Sequence, residues 1–116
     1  MEIITTDKLK KLKQEFRNYL IEKYPNANKD TINTYIRDAF YVYRHELEFG
    51  IYFFDLFKSI DTISKFKNNL IEQQTHKHVK YPQNSSSAYI CGLRRLHSFF
   101  KEKYNGVDNF INLELQ

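Results

Sequence analysis

Six cations fall between residues 75 and 104, namely Lys77, Lys80, Arg94, Arg95, Lys101 and Lys103, against the single acid Glu102. His76, His78 and His97 share the stretch, and Ser85, Ser86 and Ser87 stand in its middle. Cations beside hydroxyls at a helix start suit one chemistry, the neutralisation and hydrogen bonding of phosphate. The chain as a whole carries only +4, so the excess is local rather than global. Other chemistries find little support. His76 and His78 are two residues apart and could share a metal only on extended backbone, and no Asp, Glu or Cys between residues 75 and 90 joins them. Cys91 is the sole cysteine, which excludes an intrachain disulfide and a cysteine-based zinc site. Its neighbours predict a buried thiol on the fourth helix. With three glycines there is no phosphate-cradling loop. We therefore expect no catalytic residue, no cofactor and no resident metal, and a binding domain rather than an enzyme.

The elements that must carry these residues are helical throughout, because apolar residues recur at spacings of three and four. The first helix is expected over about Asp7 to Tyr24, capped by Thr6 or Asp7 and stopped by Pro25. The second begins near Lys29 or Asp30. It carries Ile32, Tyr35, Ile36, Ala39, Phe40 and Tyr43 inward and Asn33, Arg37, Tyr41 and Arg44 outward. Gly50 marks a break. The dense apolar run from Leu47 to Phe57 reads as the end of that helix plus a connection packed into the core, or as an exposed docking patch around Tyr52, Phe53 and Phe54. A third helix is expected from Ser59 or Asp61 to Gln74, then a basic loop from Thr75 to Gln83. The serine cluster would cap the fourth helix. Its stripe is Tyr89, Leu93, Leu96, Phe100 and Tyr104, with Arg94, Arg95 and Lys101 off the stripe. Asn105-Gly106 would end it in a left-handed cap. Residues 107–116 read as a tail or the start of a linker. The predicted core is Leu12, Phe16, Leu20, Ile32, Ile36, Phe40, Phe66, Leu70, Leu93, Leu96 and Phe100.

Bulk composition agrees with one all-α domain over residues 1–106. With 41% hydrophobic and 28% charged residues, the 116-residue chain can bury a core. No run approaches the roughly 18 apolar residues of a membrane span. The residues from Met1 to Asp7 lack the basic-then-apolar layout of a signal peptide, so a cytoplasmic location is expected.

The order of these features resembles the N-terminal core-binding (SAM-like) domain of tyrosine recombinases, the phage-integrase family. Phe16-Arg17-Asn18-Tyr19-Leu20 matches the family's opening F-x-x-Y-L. Thr31-Ile32-Asn33-Thr34-Tyr35 matches T-I-x-x-Y, and Phe66-Lys67-Asn68-Asn69-Leu70 matches F-x-x-x-L. Ser85-Ser86-Ser87 followed by Leu93-Arg94 and Phe99-Phe100 matches the fourth helix. The resemblance covers residues 10–105. It implies a four-helix SAM-like bundle that clamps one side of a DNA duplex, with backbone and groove contacts from the second and fourth helices. The charge excess and the resemblance together give the expected contact residues Arg37, Arg44, Lys77, Lys80, Ser85, Ser86, Ser87, Arg94, Arg95 and Lys101. The partners it implies are double-stranded DNA, a C-terminal catalytic domain and other recombinase protomers; this chain holds no such catalytic domain. Residues 47–57 are more aromatic than the family's usual connection, and the tail lacks its usual proline. A helical protein-interaction or regulatory module is the alternative.

Overall fold

The computed structural model describes residues 4–116, all of whose regular structure is helical. In chain order the elements are α1 (Thr6–Lys23), α2 (Lys29–Ala39), the single turns α3 (Tyr41–Arg44) and α4 (Glu46–Phe49), a 3-10 segment (Phe53–Lys58), α5 (Ile60–His76), α6 (Pro82–Tyr104), the turn α7 (Val107–Phe110) and a closing π turn (Ile111–Leu115). Among the described residues no helix is long and apolar enough to cross a membrane.

Local chemistry sets most of the boundaries. Thr5, one residue before the expected cap, accepts from the Lys8 amide at 3.3 Å and starts α1. Asn28 caps α2 through the Thr31 amide at 2.8 Å, and Ser59 caps α5 through the Thr62 amide at 3.1 Å. Each satisfies one of the first-turn donors that a helix leaves unpaired. Asn105 at φ 59° and Gly106 at φ 124° close α6, with the Gly106 amide bonding back to the Phe100 carbonyl.

α6 is the central element and packs against both α2 and α5. All eleven residues predicted for the core are buried. The core is unusually aromatic: Phe16, Phe40, Phe53, Phe54, Phe99 and Phe100 are almost fully enclosed. Phe16 meets Phe99 edge-to-face at 5.6 Å, and Phe57 meets Phe100 at 5.2 Å. That geometry sets positive ring edges against negative faces.

Four expectations need correction. The run from Leu47 to Phe57 is core, with Phe53, Phe54, Leu56 and Phe57 buried, so there is no docking patch around Phe53 and Phe54; Leu47 alone stands out at 97% exposed. α6 starts at Pro82 rather than at the serines, because proline loses nothing at a position whose N–H has no helical partner. The serines therefore lie inside the helix, and the basic loop shrinks to residues 77–81. Cys91 is exposed, since it falls on the outer side of α6. Residues 107–116 do not trail away. Val107, Phe110 and Leu115 are buried, and the Phe110 ring lies 5.0 Å from Phe100.

Candidate nucleic-acid interface

The site begins at a glycine. A Cβ placed on Gly92 of α6 would lie 2.5 Å from the Ala39 nitrogen and 2.6 Å from the Asp38 carbonyl carbon of α2. Only a residue without a side chain lets two backbones cross this closely. The crossing brings the outer flank of α2 alongside that of α6, and the charged residues of both meet there.

Three guanidiniums gather around the crossing: Arg37 on α2, Arg44 on α3 and Arg95 on α6. All three act electrostatically on the carboxylate of Asp38. Arg37 and Arg44 are exposed. An Arg44 amino group donates to the Arg37 carbonyl at 3.3 Å, and its guanidinium lies 5.9 Å from the centre of the Tyr41 ring. Tyr41 in turn stacks flat on Tyr89 of α6 at 3.9 Å. Arg95 lies over the face of Tyr35 at 3.7 Å, with Tyr24 at 6.0 Å on the same cation. Arginine on an aromatic face is held by the ring quadrupole while its edge stays free to donate.

Asp38 is the unexpected member. Its carboxyl is pushed above the ordinary value by burial, with the three arginines pulling the other way. Among the described residues none forms a hydrogen bond or a close ion pair with this carboxylate.

Basic residues of α1 extend the same side. Arg17 donates to Asn33 of α2 at 2.7 Å. The Lys13 ammonium lies 5.2 Å from the Phe40 ring centre, and burial followed by the nearby Arg44 charge lowers its pKa. The sequence reading misses Lys13, Arg17, Asp38 and the tyrosine backing. The internal glycine is the available signal, because glycine inside a helix is unfavourable unless close packing requires it.

The remaining predicted residues scatter. Arg94 leans to the other flank of α6 and donates to the Ser64 hydroxyl of α5 at 3.1 Å. The Lys77 ammonium is held by Glu48 at 2.8 Å, a carboxylate that His45 also engages. Lys80 is exposed beside the Tyr81 ring. Lys101 lines a separate depression with Lys58, His97 and Asn105. The serines offer no helix-start site. The Ser85 hydroxyl is committed to Gln74 at 2.9 Å and to nearby carbonyls, Ser86 is completely buried, and Ser87 is half-buried within the helix. His76 lies 4.0 Å from Glu72, while His78 sits in a left-handed turn at φ 58°.

No family model matches the chain, and no curated protein or solved structure matches it either.

Proposed function

We propose that this domain binds double-stranded DNA through the face formed where α2 crosses α6. The observation that carries the reading is the placing of Arg37, Arg44 and Arg95, from three elements, about the α2–α6 crossing, with Arg37 and Arg44 exposed, Arg44 beside Tyr41 and Arg95 half-buried against Tyr35. Cations in fixed positions on the outer side of packed helices match the phosphates flanking a groove, and an α-helical ridge fits the major groove of B-form DNA. Lys13 and Arg17 lengthen the basic track along α1, whereas Arg94 lies on the other flank of α6 and is not part of it.

The arrangement also fits the finer reading that the sequence resemblance suggests. In a core-binding domain of the tyrosine recombinase type, the second and fourth principal helices face the duplex. Here those helices are α2 and α6, which carry Arg37 and Arg95, with Arg44 added by the turn α3 that follows α2. On this reading the domain is a clamp without catalytic residues of its own, working beside a catalytic domain or other recombinase protomers.

The test is fluorescence anisotropy on a labelled duplex across a salt series. A lone clamp that neutralises few phosphates should bind non-specifically, with a dissociation constant of about 10⁻⁴ to 10⁻⁶ M at physiological salt. Replacing Arg37 and Arg44 with Gln should flatten the log–log salt slope by roughly one unit for each phosphate no longer neutralised. No binding at low salt, or an unchanged slope in the double variant, overturns the proposal.

A further inference from the structure

Among the described residues, nothing covers the outward side of α5. Its inward residues Ile63, Phe66, Leu70 and Gln74 are buried, while Asp61, Lys65, Asn68, Asn69, Glu72 and His76 are exposed. The exposed six recur at spacings of three and four and so form one stripe along the helix. Two depressions run beside that stripe, where α5 meets residues 48–56. One, of about 430 Å³, lies at the C-terminal half of α5, between Glu48, Phe49, Glu72 and His76. The other, of about 450 Å³ and mainly apolar, lies at the N-terminal half, between Ile51, Tyr52, Thr62 and Phe66. Asn69 lines both. Leu47, next in the chain to Glu48, is 97% exposed.

The charges of the stripe are symmetric about its centre, with opposite signs. The midpoint falls between Asn68 and Asn69. Lys65 and Glu72 stand equally far from it on opposite sides, and so do Asp61 and His76. A second α5 laid antiparallel across this midpoint sets Lys65 against Glu72 and His76 against Asp61, each pairing occurring twice. An imidazole offers an N–H to a carboxylate in either protonation state, and the central asparagine amides both donate and accept. A parallel arrangement would instead set each charge against its own copy. Within one chain Lys65 reaches Asp61 at 3.1 Å and His76 lies 4.0 Å from Glu72. Such exposed pairs contribute little singly, and more when several charges join in one network. The stripe also holds one lysine against two acids in a chain of net charge +4. The cationic surplus that would repel a second copy therefore lies elsewhere on the surface.

We propose that the outward face of α5 binds a second copy of this chain, antiparallel, in a twofold-symmetric dimer centred on Asn68 and Asn69. The proposal does not rest on the DNA reading. The antiparallel arrangement brings the C-terminal half of one α5 beside the N-terminal half of the other. The Leu47 end of each chain then adjoins the apolar depression of its partner. Burial there removes from water the most exposed large apolar side chain among the described residues. The charge pairs set register and direction, and the apolar contacts supply affinity. A contact of this self-complementary kind closes at two copies.

Sedimentation velocity from roughly 1 µM to 1 mM covers weak to moderate association. Wild type should pass from monomer to dimer across that range. Lys65→Glu sets carboxylate against carboxylate, Glu72→Lys sets ammonium against ammonium, and each should weaken dimerisation by about tenfold or more. An equimolar mixture of the two variants restores opposite charges at every pairing, and should dimerise as wild type does. The chain carrying both changes should recover likewise. Leu47→Ser should weaken association without affecting the mixture rule. Circular dichroism of the charge variants should match wild type, because the side chains of Lys65 and Glu72 are 79% and 75% exposed. A wild type that stays monomeric throughout overturns the proposal and leaves the groove to a partner of another kind. A dimer indifferent to either reversal places the interface elsewhere and overturns it too. Single variants that lose the dimer without rescue on mixing overturn the antiparallel register. None of these results bears on duplex binding at the α2–α6 crossing, which the anisotropy series tests separately.

Discussion

Arg94 and Arg95 are chain neighbours with opposite fates, and the difference comes from what each meets rather than from charge. Arg95 is half-buried against Tyr35 and Tyr24, whereas Arg94 is exposed and holds one hydroxyl. Arg95→Ala should therefore destabilise the fold by about 0.5–2 kcal/mol, because the cation–π attraction disappears. Arg94→Ala should stay within about 0.5 kcal/mol, as exposed substitutions usually do. Urea midpoints of the two variants check the pair, and equal losses would contradict the assignment. It also follows that a charge reversal at both positions is an unsound test of binding, because Arg95 is part of the packing. Asp38 makes the converse case. Burial raises its folded pKa, so the folded state prefers the neutral acid and stability falls as pH rises through that value. Asp38→Asn should raise the melting temperature at pH 7 and have little effect well below the ordinary carboxyl value of 3.8, which a melt at pH 3 checks. These properties are only partly legible in the chain. Of the clustered cations, Arg95 is visible in the charge excess between residues 75 and 104, and Arg37 and Arg44 on the outward face of the second helix. Their selection into a cluster depends on Tyr24, Tyr35 and Asp38, dozens of residues upstream, and no local pattern connects them.

At the scale of the element, α6 does the organising, and its centre is a glycine. Adding one methyl at Gly92 would place carbon 2.5 Å from backbone of α2, which cannot yield as a flexible side-chain tip can. Gly92→Ala must push α2 and α6 apart, and overpacking of this kind costs about 1–3 kcal/mol despite alanine's better helix propensity. If the domain binds duplex DNA as proposed, the variant should also bind it more weakly, because Arg37 and Arg95 would separate. Denaturant unfolding and anisotropy on the same sample check both effects, and a stabilised variant would refute the close crossing. Where a stripe repeats at three and four, the sequence reading of the elements succeeds: Phe16, Ile36, Leu70 and Leu96 all point inward as spaced. It fails where two start signals compete. Ser85 to Ser87 look like caps, but Pro82 lies three residues earlier and its fixed φ already suits a first turn. The Ser85 side chain then turns to Gln74 and the helix's own carbonyls. The connection after Phe40 is harder to read. Its apolar density follows no single period because three short turns fold it over the core in succession.

For the molecule as a whole, ionisation sets a stability plateau around neutral pH. Glu48 is held below the ordinary 4.5 chiefly by its hydrogen bond from Lys77, and Glu102 by its hydrogen bond from Tyr19. Their contributions are present above the ordinary value and lost as pH falls through the folded one. His97, lowered from 6.5 by burial, acts in the same direction. Tyr19 and Tyr104 are raised above the ordinary 10.0, first by burial and then by their bonds to Glu102 and Glu15. Their contributions are present below that value and lost as pH rises above it. Thermal melts should therefore be flattest between about pH 7 and 9, with losses on both sides. The carboxyl-terminal ten residues belong to this same unit. Glu114 pairs with Lys11 of α1 at 2.9 Å and accepts from the Tyr104 hydroxyl at 3.4 Å, and Phe110 lies 5.8 Å from Phe54 and 5.1 Å from Tyr104. α1, the 3-10 segment and the end of α6 thus all meet the closing turns. Val107, Phe110 and Leu115 are buried, and each such side chain contributes about 1.5–3 kcal/mol when removed from water. Their sum is comparable with the roughly 5–15 kcal/mol that separates a folded domain from its unfolded chain. A protein ended at Gly106 should therefore lose its cooperative melt, or melt at least about 15 °C lower, at about 4–8 °C per kcal/mol for a domain near this size. A linker would behave differently, because its removal leaves the core untouched. A truncated protein melting within about 3 °C of the full chain would return residues 107–116 to that role.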